Sequence, residues 1–143
     1  MPVLSDFTAI QFDSKEPNEG SLKNPYTVGG AGSTGPLVIP FNTGGLHHAP
    51  ALLTLMVRRL TVGGPNGDGG RVAIRNANGE KDIGRLRPSS AANVDLWRHE
   101  QFIIPTNILV NGNNSLVLGR AGPEGNRDAF QVRDIVCFFH QAT

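Results

Sequence analysis

Arg71-Val72-Ala73-Ile74-Arg75-Asn76-Ala77-Asn78-Gly79-Glu80-Lys81-Asp82-Ile83-Gly84-Arg85-Leu86 reads as two short strands hinged on an Asn-Gly pair. Asparagine and glycine both tolerate positive φ, so such a pair between two runs of strand length is a strong hairpin signal. Upstream, the glycine-rich Gly63–Gly70 stretch separates this hairpin from Ala51–Val62 (ALLTLMVRRLTV), the longest apolar segment. Its length would suit a helix. Thr54, Val57, Thr61 and Val62, with Pro50 before and Gly63-Gly64-Pro65 after, favour a central strand instead.

Working outward, Phe7–Phe12 alternates as a half-buried strand does. Tyr26–Val28 is the only strand candidate in the polar passage from Asp13 to Pro36. Leu37–Phe41 carries Pro40, which points to a sheet edge or a bulge. Trp97–Ile104, Ser115–Leu118 and Ala129–Phe139 complete the set. The stretch from Ser89 to Leu96 has some helical tolerance but is long enough for a loop or one turn only. In the last strand, strict alternation puts Phe130, Val132, Val136 and Phe138 on one face and Ile135, Cys137 and Phe139 on the other. A strand apolar on both faces belongs mid-sheet. About eight short strands without intervening helices predict one all-β domain spanning residues 1–143, a two-sheet antiparallel β-sandwich of jelly-roll type.

The composition narrows the function. Of 143 residues, 13 are Lys or Arg and 12 Asp or Glu, a formal charge of +1. That balance gives no electrostatic footprint for nucleic acid. No apolar run approaches the roughly 20 residues that cross a bilayer. The first residues carry no basic stretch followed by an apolar core, so cytoplasmic residence is the default expectation. Cys137 is the single cysteine, which leaves no internal disulfide and no thiolate zinc cage. Its apolar neighbours predict a buried, inert thiol.

From Ala51 onward the order of motifs resembles the galactose-binding-like jelly-roll family. Asn78-Gly79 is followed by Ile83-Gly84. Phe102-Ile103-Ile104-Pro105 precedes Ile108-Leu109, Gly112-Asn113 and Leu116-Val117-Leu118. The closing strand reads Phe130-x-Val132-x-Asp134-Ile135-Val136. The resemblance spans about two-thirds of the chain, Ala51 to Phe139, and implies the same sandwich. It also implies a structural calcium held by Asp134 with Asp13, Glu16 or Glu19. The family holds glycan binders, lipid binders and purely structural units, so function must be argued from the site.

No catalytic constellation emerges. Gly29–Gly35 looks like a phosphate loop, but Pro36 stands where the lysine belongs and no helix follows. Ala31–Gly35 lacks the first glycine of a nucleophile elbow. His47 and His48 are adjacent, so in an extended chain their rings diverge. The loop around Asn66-Gly67-Asp68 has one acid, too few for an EF-hand. The expectation is a non-enzyme. Sugar binding needs an aromatic platform with amide and charged partners. Trp97, the only Trp, sits among polar residues, and Tyr26 lies near Asn24. Trp97, Arg98, His99, Asn93 and Tyr26 are therefore the predicted ligand-binding residues of a carbohydrate-binding, lectin-like module, displayed through a homo-oligomer. The rival reading is an assembly protein that uses the Leu52–Leu60 strand and the Phe138-Phe139 end as a subunit interface. A core position is the bland alternative for Trp97.

Overall fold

Two antiparallel sheets face each other in the computed structural model, which describes residues 3–11, 26–28, 36–60, 70–89, 91–119 and 130–142. The strands are β1 (Val3–Gln11), β2 (Tyr26–Val28), β3 (Leu37–Asn42), β4 (Ala51–Arg58), β5 (Arg71–Asn76), β6 (Gly79–Arg85), β7 (Arg98–Ile104), β8 (Asn113–Leu118) and β9 (Phe130–Ala142). One sheet runs β1-β9-β4-β7, with β2 also paired to β9; the other runs β3-β8-β5-β6. The predicted β-sandwich is what the chain forms, with nine strands among the described residues. The stretch before Trp97 contributes a single 3-10 turn, Ala91–Asn93.

Strand β4 shows why. Ala51, Leu53, Leu55 and Val57 point inward, while Leu52, Thr54, Met56 and Arg58 point outward. The inward set meets Ile39, Val72, Ile74, Leu116 and Leu118 from the opposite sheet. Pro40 lies on β3, an edge strand, where its missing N–H breaks no inner ladder. On the far edge, Gly84 of β6 passes under the Phe102 ring of β7, and this contact helps to close one side of the sandwich.

The hairpin that opens the sequence argument forms, by a different turn. Asn76 pairs with Gly79, so Ala77 and Asn78 make the loop. Only Gly79 has positive φ, at 107°. Glycine thus closes the turn, and Asn78 keeps negative φ, its N–H bonded to the Asn76 side chain at 3.0 Å.

The last strand corrects the expected face assignment. Strand β9 is central, as its two apolar faces require. Thr54 pairs with Val136 and Met56 with Arg133, so Asp134 and Ile135 together oppose Leu55. This is a bulge, and Asp134 carries it at φ 52°. The extra residue shifts the parity beyond it. Ile135, Cys137 and Phe139 join Phe130 and Val132 in the core, and Phe138 turns outward. With calcium chelated, Asp134→Gly is expected to leave the urea midpoint nearly unchanged or raised. Asp134→Val should cost about 1–2 kcal/mol, because a Cβ-branched residue is strained at left-handed φ. Equal costs for the two variants would show that the bulge is not held by that backbone angle.

Burial also decides the state of Cys137, whose thiol is pushed up to about 12. The native thiol is expected to resist iodoacetamide at pH 8.5 and to react once urea is added. An unfolded thiol ionises near 8.5, so the folded state holds the extra proton between about 9 and 12. Stability therefore falls as pH rises through that window, by up to about 1.4 kcal/mol per pH unit. Cys137→Ala should lack that component in urea melts at matched pH.

Candidate functional site

The outer face of the five-stranded sheet is ordered in rows set by strand register. Phe7, Phe138, Leu52 and Ile103 are successive cross-strand partners. Phe7 is 57%, Phe138 44% and Ile103 69% exposed, and the Phe7 and Phe138 rings are 6.2 Å apart. The next row holds Val136, Thr54 and Gln101, and the next Arg133, Met56 and His99. Last come Gln131 and Arg58, with Trp97 immediately ahead of β7.

At that end the Trp97 ring meets two cations. The guanidinium carbon of Arg58 lies 4.5 Å from the ring centroid and that of Arg133 4.3 Å. Each such contact is worth roughly 0.5–1 kcal/mol where water has access. Arg58 also donates through Nε to Gln131 Oε1 at 2.7 Å. A short latch places the indole. Arg59, at φ 65°, donates its N–H to the Val94 carbonyl at 2.9 Å. Its guanidinium meets Asp95 at 2.6 Å. These bonds tie the turn before β7 to the end of β4.

The predicted site residues therefore separate. Trp97 and His99, two apart near the start of β7, share the outer face. Arg98, between them, points the other way. It contacts Glu100 at 3.4 Å and donates to the Arg87 carbonyl, and Arg87 in turn reaches Glu100 at 3.2 Å. Glu100 is a buried carboxylate held between two arginines. Asn93 is exposed on the 3-10 turn, and its carbonyl accepts the Leu96 N–H at 3.1 Å. Tyr26 pairs with Val132 on β9. Arg58, Arg133 and Gln131 escaped the sequence reading. Alternation along Ala51–Arg58 puts Arg58 in line with Met56 and Thr54, which was the available signal.

Asp134, the predicted calcium ligand, sits at the bulge with Oδ2 3.4 Å from Arg133 Nε. Its expected partners Asp13, Glu16 and Glu19 lie outside the described residues, as do the glycine-rich stretches 29–35 and 61–69. Among the described residues no three His, Cys, Asp or Glu side chains come together as a metal site.

A concavity of about 560 Å³ lies on the other sheet, lined by Pro40, Asn42, Arg75, Asn113 and Ser115 among others. Its polar groups largely serve one another. Asn42 donates to Asn113 at 3.1 Å, and Asn76 donates to the Ile108 carbonyl at 2.8 Å. Arg75 and Arg71 both bind Glu80, at 2.7 and 2.8 Å. Desolvation opposes ionisation of Glu80, but the hydrogen bonds from Arg71 and Arg75 hold its carboxyl below the usual range.

No protein-family profile and no curated protein sequence matches the chain. Solved structures do. A mutant of a carbohydrate-binding module of family 29 aligns over 94% of this chain and 92% of its own, with TM-score 0.52 and 14% identity. A family 16 carbohydrate-binding module aligns over 79% of this chain and 74% of its own, with TM-score 0.44 and 10% identity. At such identities the likeness concerns the fold alone, and the chain shares the jelly-roll sandwich fold of the family 29 module.

Proposed function

We propose that the chain is a non-catalytic carbohydrate-binding module whose ligand lies on the outer face of the five-stranded sheet, anchored at Trp97. One observation carries the reading. A single solvent-facing strip combines an indole, an imidazole, the Gln101 and Gln131 amides and two guanidiniums with hydrocarbon from Met56, Leu52 and Ile103. Sugars offer the complement, C–H faces beside hydroxyls. The first test is a glycan array with labelled protein, run with and without calcium. Binding to one sugar family, lost in Trp97→Ala and His99→Ala variants that still unfold cooperatively, is the expected result. A blank array from folded protein overturns the reading. The calcium proposal, Asp134 with Asp13 or Glu16, is read from the same samples, since chelation lowers the melting temperature only if an ion is held.

The row Phe7-Phe138-Leu52-Ile103 favours assembly as a second reading. Phe7, Phe138 and Ile103, at about 200 Å² each and exposed to the extents given, offer roughly 340 Å². A stable interface needs about 800 Å² per partner. The shortfall places assembly behind glycan binding, and sedimentation equilibrium of wild type and Phe138→Ser decides it.

A further inference from the structure

From the cluster around Trp97 we infer that the module recognises acidic sugars, with Arg58 and Arg133 receiving the carboxylate of a uronate residue. This rests on the carbohydrate reading and narrows it to a substrate class. Two guanidinium carbons within 4.5 Å of one ring centroid are like charges no further apart than the sum of their two ring distances, and an anion bound at this end relieves their repulsion. Neither is neutralised well from within. Among the described residues no carboxylate pairs with Arg58, whose Nε bonds a neutral amide. Arg133 Nε is buried without a hydrogen bond, because its contact with Asp134 at 3.4 Å is not aligned as one. Arg59, Arg71, Arg75 and Arg87 differ, each holding an acid within 3.2 Å, whereas Arg133 reaches Asp134 only at 3.4 Å and Arg58 reaches no acid among the described residues.

Cation–π contact lays the planar guanidinium against the indole and leaves its edge N–H groups to form a fork. A carboxylate fits that fork with two parallel hydrogen bonds. His99 and Met56, in the row of Arg133, and Thr54 and Gln101 in the next row continue the strip along the sheet. From Arg58 to Leu52 is six residues, about 20 Å of strand, so neighbouring sugars of one chain have a surface to follow. The Trp97 π-face is occupied by guanidinium carbons, so the indole acts as the support that orients the cations.

The experiment titrates the full chain with oligouronates (galacturonate, glucuronate and mannuronate) and with the methyl ester of each, which keeps the ring and removes the charge. A sulfated oligosaccharide and a single-stranded oligonucleotide are run beside them. Trp97 is the only Trp, so its fluorescence reports the site directly, and calorimetry gives affinity. At least one acid should bind about tenfold or more tighter than its ester, with the gap closing at high salt. Arg58→Gln and Arg133→Gln should each erase that gap, weakening binding of the acid far more than binding of its ester, in variants that still unfold cooperatively. Arg58→Lys, which keeps charge but lacks the fork, should restore only part of it. Equal binding of acid and ester overturns the inference and leaves the carbohydrate module standing. Preference for the sulfated sugar or the oligonucleotide overturns the carboxylate assignment. A silent panel together with a blank array removes both readings.

Discussion

Asn114→Ala is expected to lower the unfolding free energy by about 3–5 kcal/mol, the largest loss from any single polar side chain described. Asn114 is buried at one end of the sandwich, where its amide meets three segments of chain. Nδ2 donates to Thr43 Oγ1 at 2.9 Å and to the Val110 carbonyl at 3.0 Å. Oδ1 accepts the Val110 N–H and the Asn76 amide, both at 3.0 Å. Thr43 closes the arrangement, donating its hydroxyl to the Val110 carbonyl and its N–H to the Gly112 carbonyl, both at 2.9 Å. Truncation leaves buried donors and acceptors on several of these partners unpaired, at about 1–3 kcal/mol each. Two such losses already fill the range. At roughly 2–4 °C per kcal/mol for a chain of this size, the melting temperature should drop by about 6–20 °C. Faster amide exchange at Val110 gives a local readout that a general loosening would not single out. A urea-derived loss under about 1 kcal/mol would mean that water replaces the amide, and the clamp would be no more than an ordinary turn residue.

That asparagine marks one boundary of what the sequence discloses. Gly112-Asn113-Asn114 reads as a turn beside a strand, and Asn113 and Asn114 look alike there. In the fold Asn113 is exposed and Asn114 is buried. Turn-forming and loop-clamping asparagines share the same short amide, so only the arrival of Thr43 and Asn76 from distant sequence tells them apart. Strand β4 stands at the other extreme, because its β-branched residues and flanking proline and glycines suffice to mark Ala51–Val62 as a central strand, which β4 is. Strand β9 fails beyond Asp134 because period-two counting assumes no extra residue, and a bulge is local geometry that apolar patterning does not record.

The candidate site divides along the same line. Trp97, Arg98 and His99 stand together in the sequence as polar groups crowded around the indole, and period-two alternation keeps Trp97 and His99 on one face. The same rule sets Arg98 on the opposite face, where Glu100 awaits it. Arg133 reaches Trp97 only through the register between β4 and β9, and that register depends on the bulge. No one-dimensional pattern around Trp97 could name it.

Gly84→Val is expected to cost about 3 kcal/mol or more, with Phe102 as the cause. A Cβ at Gly84 would lie 2.6 Å from Phe102 Cδ1 and 2.7 Å from Cε1, distances that aromatic carbons do not accept without moving. Gly84 does not have a positive φ, so backbone strain contributes little, and valine is a better strand former than glycine. Propensity alone would make this substitution stabilising. The sign of the measured change therefore separates the two effects. Overpacking a fitted contact costs typically 1–3 kcal/mol for a small addition, and the branched side chain adds two methyls where one carbon already collides. Phe102 cannot swing away freely. It projects from β7 opposite Leu53 and packs against the core beside Ile83, so displacement opens the edge that the ring seals. Phe102→Ala alone should cost about 2–3 kcal/mol through lost packing. In Gly84→Val with Phe102→Ala, the new methyls should fill part of the vacated space, and the double variant should be at least about 1 kcal/mol more stable than the sum predicts. Additive losses in urea melts would sink the clash explanation. A positive coupling would identify Gly84 as the space that Phe102 requires, which is a physical reason for glycine to follow isoleucine at that point in the strand.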